Sequence, residues 1–173
     1  MLTNVQIRRA APDDAIAIAD IHIACWRTAY SDIVPAAVLT TMSLERIAGH
    51  HRDAISAETE ETAVVETGDQ IVGWCTLGDC RDDDKPKART GEIWGIYLTP
   101  AVWRKGIGTV LARWAEAQLL SRGKSEVVLW VFEANAPSRR FYEACGFAAD
   151  GATKQLTIGG VALTAVRYSK LVA

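Results

Sequence analysis

Residues 92–120 read as a strand, a basic glycine-bearing turn and a helix, and this transition constrains the chain more than any other stretch. Residues 92–98 are aromatic and β-branched enough for a buried strand, and Pro100, with no N–H to give a ladder, ends it. From Ile107 onward apolar side chains recur at positions 107, 110, 111, 114, 115 and 119, the spacing of one helix face. Between strand and helix lies Trp103-Arg104-Lys105-Gly106-Ile107-Gly108. Such a turn leaves the first N–H groups of the helix without intrahelical acceptors and sets two cationic side chains beside them, which suits a phosphate or pyrophosphate. A P-loop is excluded, and a nicotinamide-binding reductase, a third reading, is weakened by the glycine spacing. There is no G-x-x-x-x-G-K-[ST] run, and the third position of a dinucleotide fingerprint is Leu111, with residues 99–105 separating the strand from Gly106.

The remaining well-known user of a strand, a G-x-G turn and a helix is coenzyme A. The segment resembles the acyl-CoA-binding motif of the GCN5-related N-acetyltransferases (GNAT), R/Q-x-x-G-x-G/A, except that Trp103 stands at its first position. A second block, Asn135 followed by Phe141-Tyr142-Glu143 and Gly146-Phe147, is similar to the family's N-x-x-x-x-x-F-Y-E-x-x-G-F pattern without departure. The two blocks occur in family order and spacing. Trp26-Arg27-Thr28-Ala29-Tyr30, with Pro35 five residues on, resembles a signature of one GNAT subgroup.

The resemblance implies a single α/β (α+β) domain over residues 1–173. It would have a mixed, mostly antiparallel sheet of six to seven strands, about four flanking helices and one splayed strand pair that admits the pantetheine arm. The implied activity is transfer of an acetyl group from acetyl-CoA, as cosubstrate, to a primary amine of a small molecule or peptide. A non-catalytic acyl-CoA-binding module is the competing expectation. By resemblance, Ile96, Tyr97 and Leu98 meet the pantetheine through their main chain, and Arg104, Lys105, Gly106, Ile107, Gly108 and Thr109 meet the pyrophosphate. Asn135 is assigned to the pantetheine or its thioester end, and Tyr142 to protonation of the leaving thiolate as well as to the cofactor. Trp26 and Tyr30 fall on one helical stripe and are expected to line the acceptor pocket. Together with Trp74 and Trp94 they suggest an aromatic wall for an apolar or cationic amine.

Direct attack needs a neutral amine, and one with a pKa near ~10.4 lies ~4.6 kcal/mol from its free base at pH 7. Glu92 is the candidate base, because it begins the strand that borders the thioester and is the only acid in the core of the block.

Composition limits partners and setting. The chain has 173 residues, 19 basic against 21 acidic, and a net charge of −2, so there is no global basic field for nucleic acid. No apolar run approaches ~20 residues, and the amino terminus lacks a leader pattern, so no membrane segment is expected. Cys25, Cys75, Cys80 and Cys145 form no C-x-x-C pair, which favours free buried thiols, no metal and a cytoplasmic setting. A homodimer is consistent with the resemblance.

Elsewhere, residues 5–9 alternate like a strand, and Pro12-Asp13-Asp14 opens a helix. Residues 35–56 read as helical with a break at Ser43, a suitable N-cap, and His50-His51 as partly exposed helix residues. Hairpins are expected about Gly68-Asp69-Gln70 and Gly159-Gly160, and a solvated loop over residues 78–90. Residues 127–132 read as a central strand covered on both faces. Of the adjacent rings Phe141 and Tyr142, ~100° apart on a helix, Phe141 is expected to pack inward and Tyr142 to face the cleft.

Overall fold

A strand of nine residues, Thr90–Leu98, stands at the centre of a seven-stranded sheet and is paired along only part of one edge. A computed structural model describes residues 5–57 and 60–173; residues 1–4, part of the stretch read for a leader, lie outside the described residues. In chain order the strands are β1 Val5–Arg9, β2 Glu61–Thr67, β3 Gln70–Asp79, β4 Thr90–Leu98, β5 Glu126–Phe132, β6 Ala148–Ile158 and β7 Val161–Leu171. The helices are α1 Ala15–Ala29, α2 Ala36–Thr40, α3 Leu44–Ala57, α4 Ile107–Ser121 and α5 Ala136–Ala144, with 3-10 turns at Pro12–Asp14 and Pro100–Val102. Five helices thus stand where about four were expected, because Pro35 and Ser43 divide the second helical region. Ser43 Oγ accepts the Arg46 N–H at 3.3 Å, as an N-cap does.

The strand order is β1-β2-β3-β4-β5-β7-β6, antiparallel throughout except for the parallel pair β4–β5. That pair is short: Thr90, Gly91 and Glu92 oppose Glu126, Val127 and Val128, and the register ends there. From Ile93 to Leu98, β4 keeps β3 on one side and has no strand on the other, while β5 continues against β7. This is the splayed pair. A β-bulge on the β3 side, where Thr76 opposes Gly95 and Leu77 opposes Ile93, turns the strand at the point where the two part.

Side chains alternate across β5, and the alternation sorts the two faces of the sheet. Val127, Leu129 and Val131 join Ile107, Leu111, Ala115 and Leu119 of α4 in the main core, with Tyr142, Phe147 and Tyr168. Val128, Trp130 and Phe132 point to the opposite face, which α1 covers toward the β3 end; there Ile18 and Ile21 pack with Val64 and Trp74.

One expectation is overturned on that face, the partial exposure of His51. Residues 80–89 form the expected, largely exposed loop, and it is tied down: Arg167, 5% exposed, pairs with Asp82, Asp84 and Asp150. The Trp130 indole also donates to Asp82, and Lys85 pairs with Glu126. His51 is buried against His22, with ring nitrogens 3.4 Å apart, although His50 beside it is exposed.

Candidate active site

The turn after β4 begins the site. Gly106, with φ of +82°, is the N-cap of α4 and offers no side-chain cap; the first helical bond runs from Val110 N–H to Gly106 O at 3.2 Å. The N–H groups of Gly106, Ile107, Gly108 and Thr109 precede that bond and lack intrahelical acceptors. Arg104 (φ +61°) and Lys105 are exposed beside them and form no ion pair among the described residues. An uncapped helix start flanked by two free cations is suited to a diphosphate. Ile107 and Gly108 are buried, and Gly108 is tightly packed: a Cβ there would lie 3.1 Å from the Phe141 ring and 3.4 Å from Leu98. Its smallness lets α4, α5 and the end of β4 meet.

Trp103, at the position where the motif has Arg or Gln, turns back and donates its indole N–H to the Leu98 carbonyl at 2.9 Å. The side chain fastens the turn to the end of β4 instead of adding charge.

Ile96, Tyr97 and Leu98 all lie on the part of β4 that lacks a β5 partner. The Leu98 N–H faces the Cys25 thiol; burial pushes that thiol up to about 11, and the N–H holds the rise back. Tyr97 projects toward α1, stacked on Trp74 at 4.5 Å and on His22 at 5.3 Å between ring centroids. The Trp26 indole N–H, buried and without a well-formed hydrogen bond, approaches the Tyr97 hydroxyl.

Trp26 and Tyr30 do share a stripe, 4.9 Å apart and edge to face, and Tyr30 meets Phe132 of β5 at 5.4 Å. Trp74 is 4% exposed, and Trp94 is covered on one face by the Arg81 guanidinium at 4.3 Å, so these two are not open walls.

Asn135 is 3% exposed and caps α5, its carboxamide oxygen accepting the Ser138 N–H at 3.2 Å. Tyr30 approaches its carboxamide. Tyr142 is 9% exposed and lies in the main core, and Phe141 packs against the same core and against Gly108, so both rings turn inward where helix geometry predicts only one. The Tyr142 hydroxyl makes no hydrogen bond among the described residues. Burial raises its pKa, with further upward pressure from Tyr97, Cys145, Cys25 and Cys75, so it is a neutral phenol at physiological pH. Tyr30, Tyr97, Tyr142 and Cys25 all bear on one another electrostatically, which marks them as one cluster beside the splay.

Glu92 stands apart from that cluster. It occupies the last paired position of β4, opposite Val128, and is 1% exposed. Both carboxylate oxygens are engaged by Arg81, through its main-chain N–H at 2.9 Å and its guanidinium at 2.5 Å. Arg81 lies in the mixed-charge run that sequence reading assigned to a solvated loop, so its role had no local signal.

Among the described residues no group of three His, Cys, Asp or Glu side chains is arranged for a metal, and no helix is long and apolar enough to cross a membrane. All four cysteines are free thiols.

Comparison with known proteins agrees with this geometry. The acetyltransferase (GNAT) family profile matches residues 16–147. The uncharacterised N-acetyltransferase YuaI of Bacillus subtilis is 31% identical over 140 residues, 81% of this chain and 78% of its own. The PaiA N-acetyltransferase of Thermoplasma acidophilum, solved in complex with coenzyme A, superposes with a TM-score of 0.74 at 19% identity, covering 98% of this chain and all of its own. The yncA protein of Salmonella typhimurium, solved with its cofactor acetyl-CoA, gives 0.72 at 21% identity, over 99% and 95% of the two chains. With the family profile spanning most of its length on a sheet that splays where the motif begins, this chain belongs to the GNAT acetyltransferase family.

Proposed function

We propose that the protein transfers the acetyl group of acetyl-CoA to a primary amine of a small molecule or peptide by direct attack. The observation that carries this reading is the continuity of two free elements: the unpartnered edge of β4 after Glu92 runs into the uncapped start of α4. An extended, amide-rich arm followed by a diphosphate needs these two features in this order. Gly106 to Thr109 would hold the diphosphate through their N–H groups, with Arg104 and Lys105 adding charge. The main chain of Ile96, Tyr97 and Leu98 would pair with pantetheine, and Asn135 would border the thioester end.

Glu92 accepts the first proton of the ammonium, through a water. The freed nitrogen attacks the thioester carbonyl carbon, and the Leu98 N–H, once released from Cys25, stabilises the oxyanion of the tetrahedral intermediate. As the C–S bond breaks, the second proton of that nitrogen reaches the sulfur through the Tyr142 hydroxyl. Burial disfavours a free phenolate, so Tyr142 acts as a relay that donates while it accepts. Trp26 and Tyr30 border the acceptor on the α1 side.

The Arg81–Glu92 ion pair favours a second reading, a module that binds acyl-CoA without turnover, since Arg81 occupies the lone pairs a base must offer. One experiment separates the two: calorimetric titration with acetyl-CoA, followed by release of CoA thiol in the presence of an amine panel. Binding with thiol release supports the enzyme. Binding without release supports the module, and absence of binding refutes both.

A further inference from the structure

On the face of the sheet that carries Glu92, the acids and cations are almost completely matched. Glu92 is paired with Arg81, Asp82 and Asp84 with Arg167, Asp150 with Arg167 and Lys85, and Glu126 with Lys85. Lys154 of β6 is the exception. It is half-buried and has neither an ion pair nor a hydrogen bond among the described residues, its ammonium resting 3.9 Å from the centroid of the Trp130 ring.

Trp130 places that ammonium. It lies two residues from Val128, the partner of Glu92, and two residues from Phe132, which packs on Tyr30. Each two-residue step along a strand spans about 6.6–6.8 Å and returns to the same face. Lys154 therefore sits over the strand edge between the candidate base and the aromatic border, on the side an acceptor enters. Arg81 is close by: its Nε and Nη2 hold Glu92, its plane covers Trp94, and its Nη1 has no partner among the described residues.

We propose that the acceptor of this enzyme is an amine that also bears a carboxylate, and that Lys154, with Arg81 Nη1, holds that carboxylate while the amine faces Glu92. The inference rests on the acetyltransferase reading above. A half-buried ammonium whose close contact is a ring face keeps its N–H donors free for an anion. Burial lowers the Lys154 pKa, and Asp82 and Glu92 oppose the fall, so a bound carboxylate restores what burial removes. Two aromatic faces that would attract a cationic amine are already covered: Lys154 lies on Trp130 and Arg81 on Trp94. A polyamine would meet two like charges there. This reverses the acceptor class suggested by the aromatic content of the sequence.

The test uses the full chain, the L-amino acids and their primary amides, with CoA thiol release from acetyl-CoA as readout. Free acids should be acetylated in preference to their amides. Lys154→Met should raise KM for the acids about tenfold or more, the loss of one charge-assisted bond. It should leave KM for acetyl-CoA unchanged and the amides unaffected. Preference for amides or polyamines overturns the proposal, as does an equal effect of Lys154→Met on acid and amide. If no amine releases thiol, the transfer reading fails by itself. Calorimetry of the same acids against the CoA-saturated protein then decides: binding that Lys154→Met weakens upholds the carboxylate site, and no binding, or binding indifferent to the substitution, overturns it.

Discussion

The indole N–H of Trp103 and the carbonyl of Leu98 are joined by a hydrogen bond of 2.9 Å, which ties the glycine turn before α4 to the last residue of the splayed strand. The Leu98 N–H faces the Cys25 thiol, so one peptide region connects the two ends of the proposed cofactor track. The motif's first position here acts by position rather than by charge.

Trp103→Phe keeps the ring and removes the donor. Losing a bond worth about 1 kcal/mol should raise KM for acetyl-CoA about fivefold, with a small change in melting temperature. An unchanged KM in steady-state kinetics would show that the turn holds its shape without the brace.

The Tyr142 hydroxyl has no protein partner among the described residues, so its removal orphans none of them. Tyr142→Phe should therefore leave stability and acetyl-CoA affinity nearly intact while lowering kcat by ~100-fold or more, the scale of a lost proton-transfer group. Calorimetry and single-turnover rates measured on the same preparation check both halves. Equal kcat would remove the phenol from the reaction.

Glu92→Gln should slow transfer to a lysine-like amine most at neutral pH. The deficit should shrink as pH rises toward the amine's own pKa of ~10.4, where the free base no longer has to be made. A pH-independent deficit would point instead to a packing role through Arg81, whose guanidinium the glutamine can still partly engage.

His22 and His51 are held at about 4, both by burial first, with neighbouring imidazoles adding repulsion. Their unfolded value is 6.5, so the folded pKa is depressed. The unfolded chain then binds more protons between those values: stability should be full above pH 6.5 and fall as the pH drops toward 4. Proton uptake on unfolding near pH 5 should approach about two from this pair, read from the pH slope of denaturant-derived stability. His51→Leu should remove about half of that slope, and a slope unaltered by this substitution would assign the loss to other groups.

Arg167→Met removes the cation that three carboxylates share at a site where the arginine is 5% exposed. The substitution leaves three neighbouring carboxylates without their shared cation, so a fall in unfolding free energy is expected. Residues 80–89 should also gain hydrogen exchange, and retained protection there would mean that the Trp130 and Lys85 contacts suffice.

The amino-acid order alone determined the strand, turn and helix of residues 92–120, the two glycine hairpins and the Ser43 break. These are local matters: Pro100 cannot continue a ladder, Gly106 and Gly123 accept positive φ, and helical spacing shows its buried face within a few turns. The proposed cofactor track lies along the same segment. Tertiary structure decided the rest of the site. His51 is buried because of His22, 29 positions earlier, and residues 80–89 are strapped by Arg167, some 85 positions later. Phe141 packs against Gly108 of another helix, and the counter-ion of Glu92 comes from a loop whose run of mixed charges shows no partner in isolation. Ion pairing and burial are properties of which distant segments meet. A single strand or helix pattern carries the face a residue takes, but not the partner that waits there.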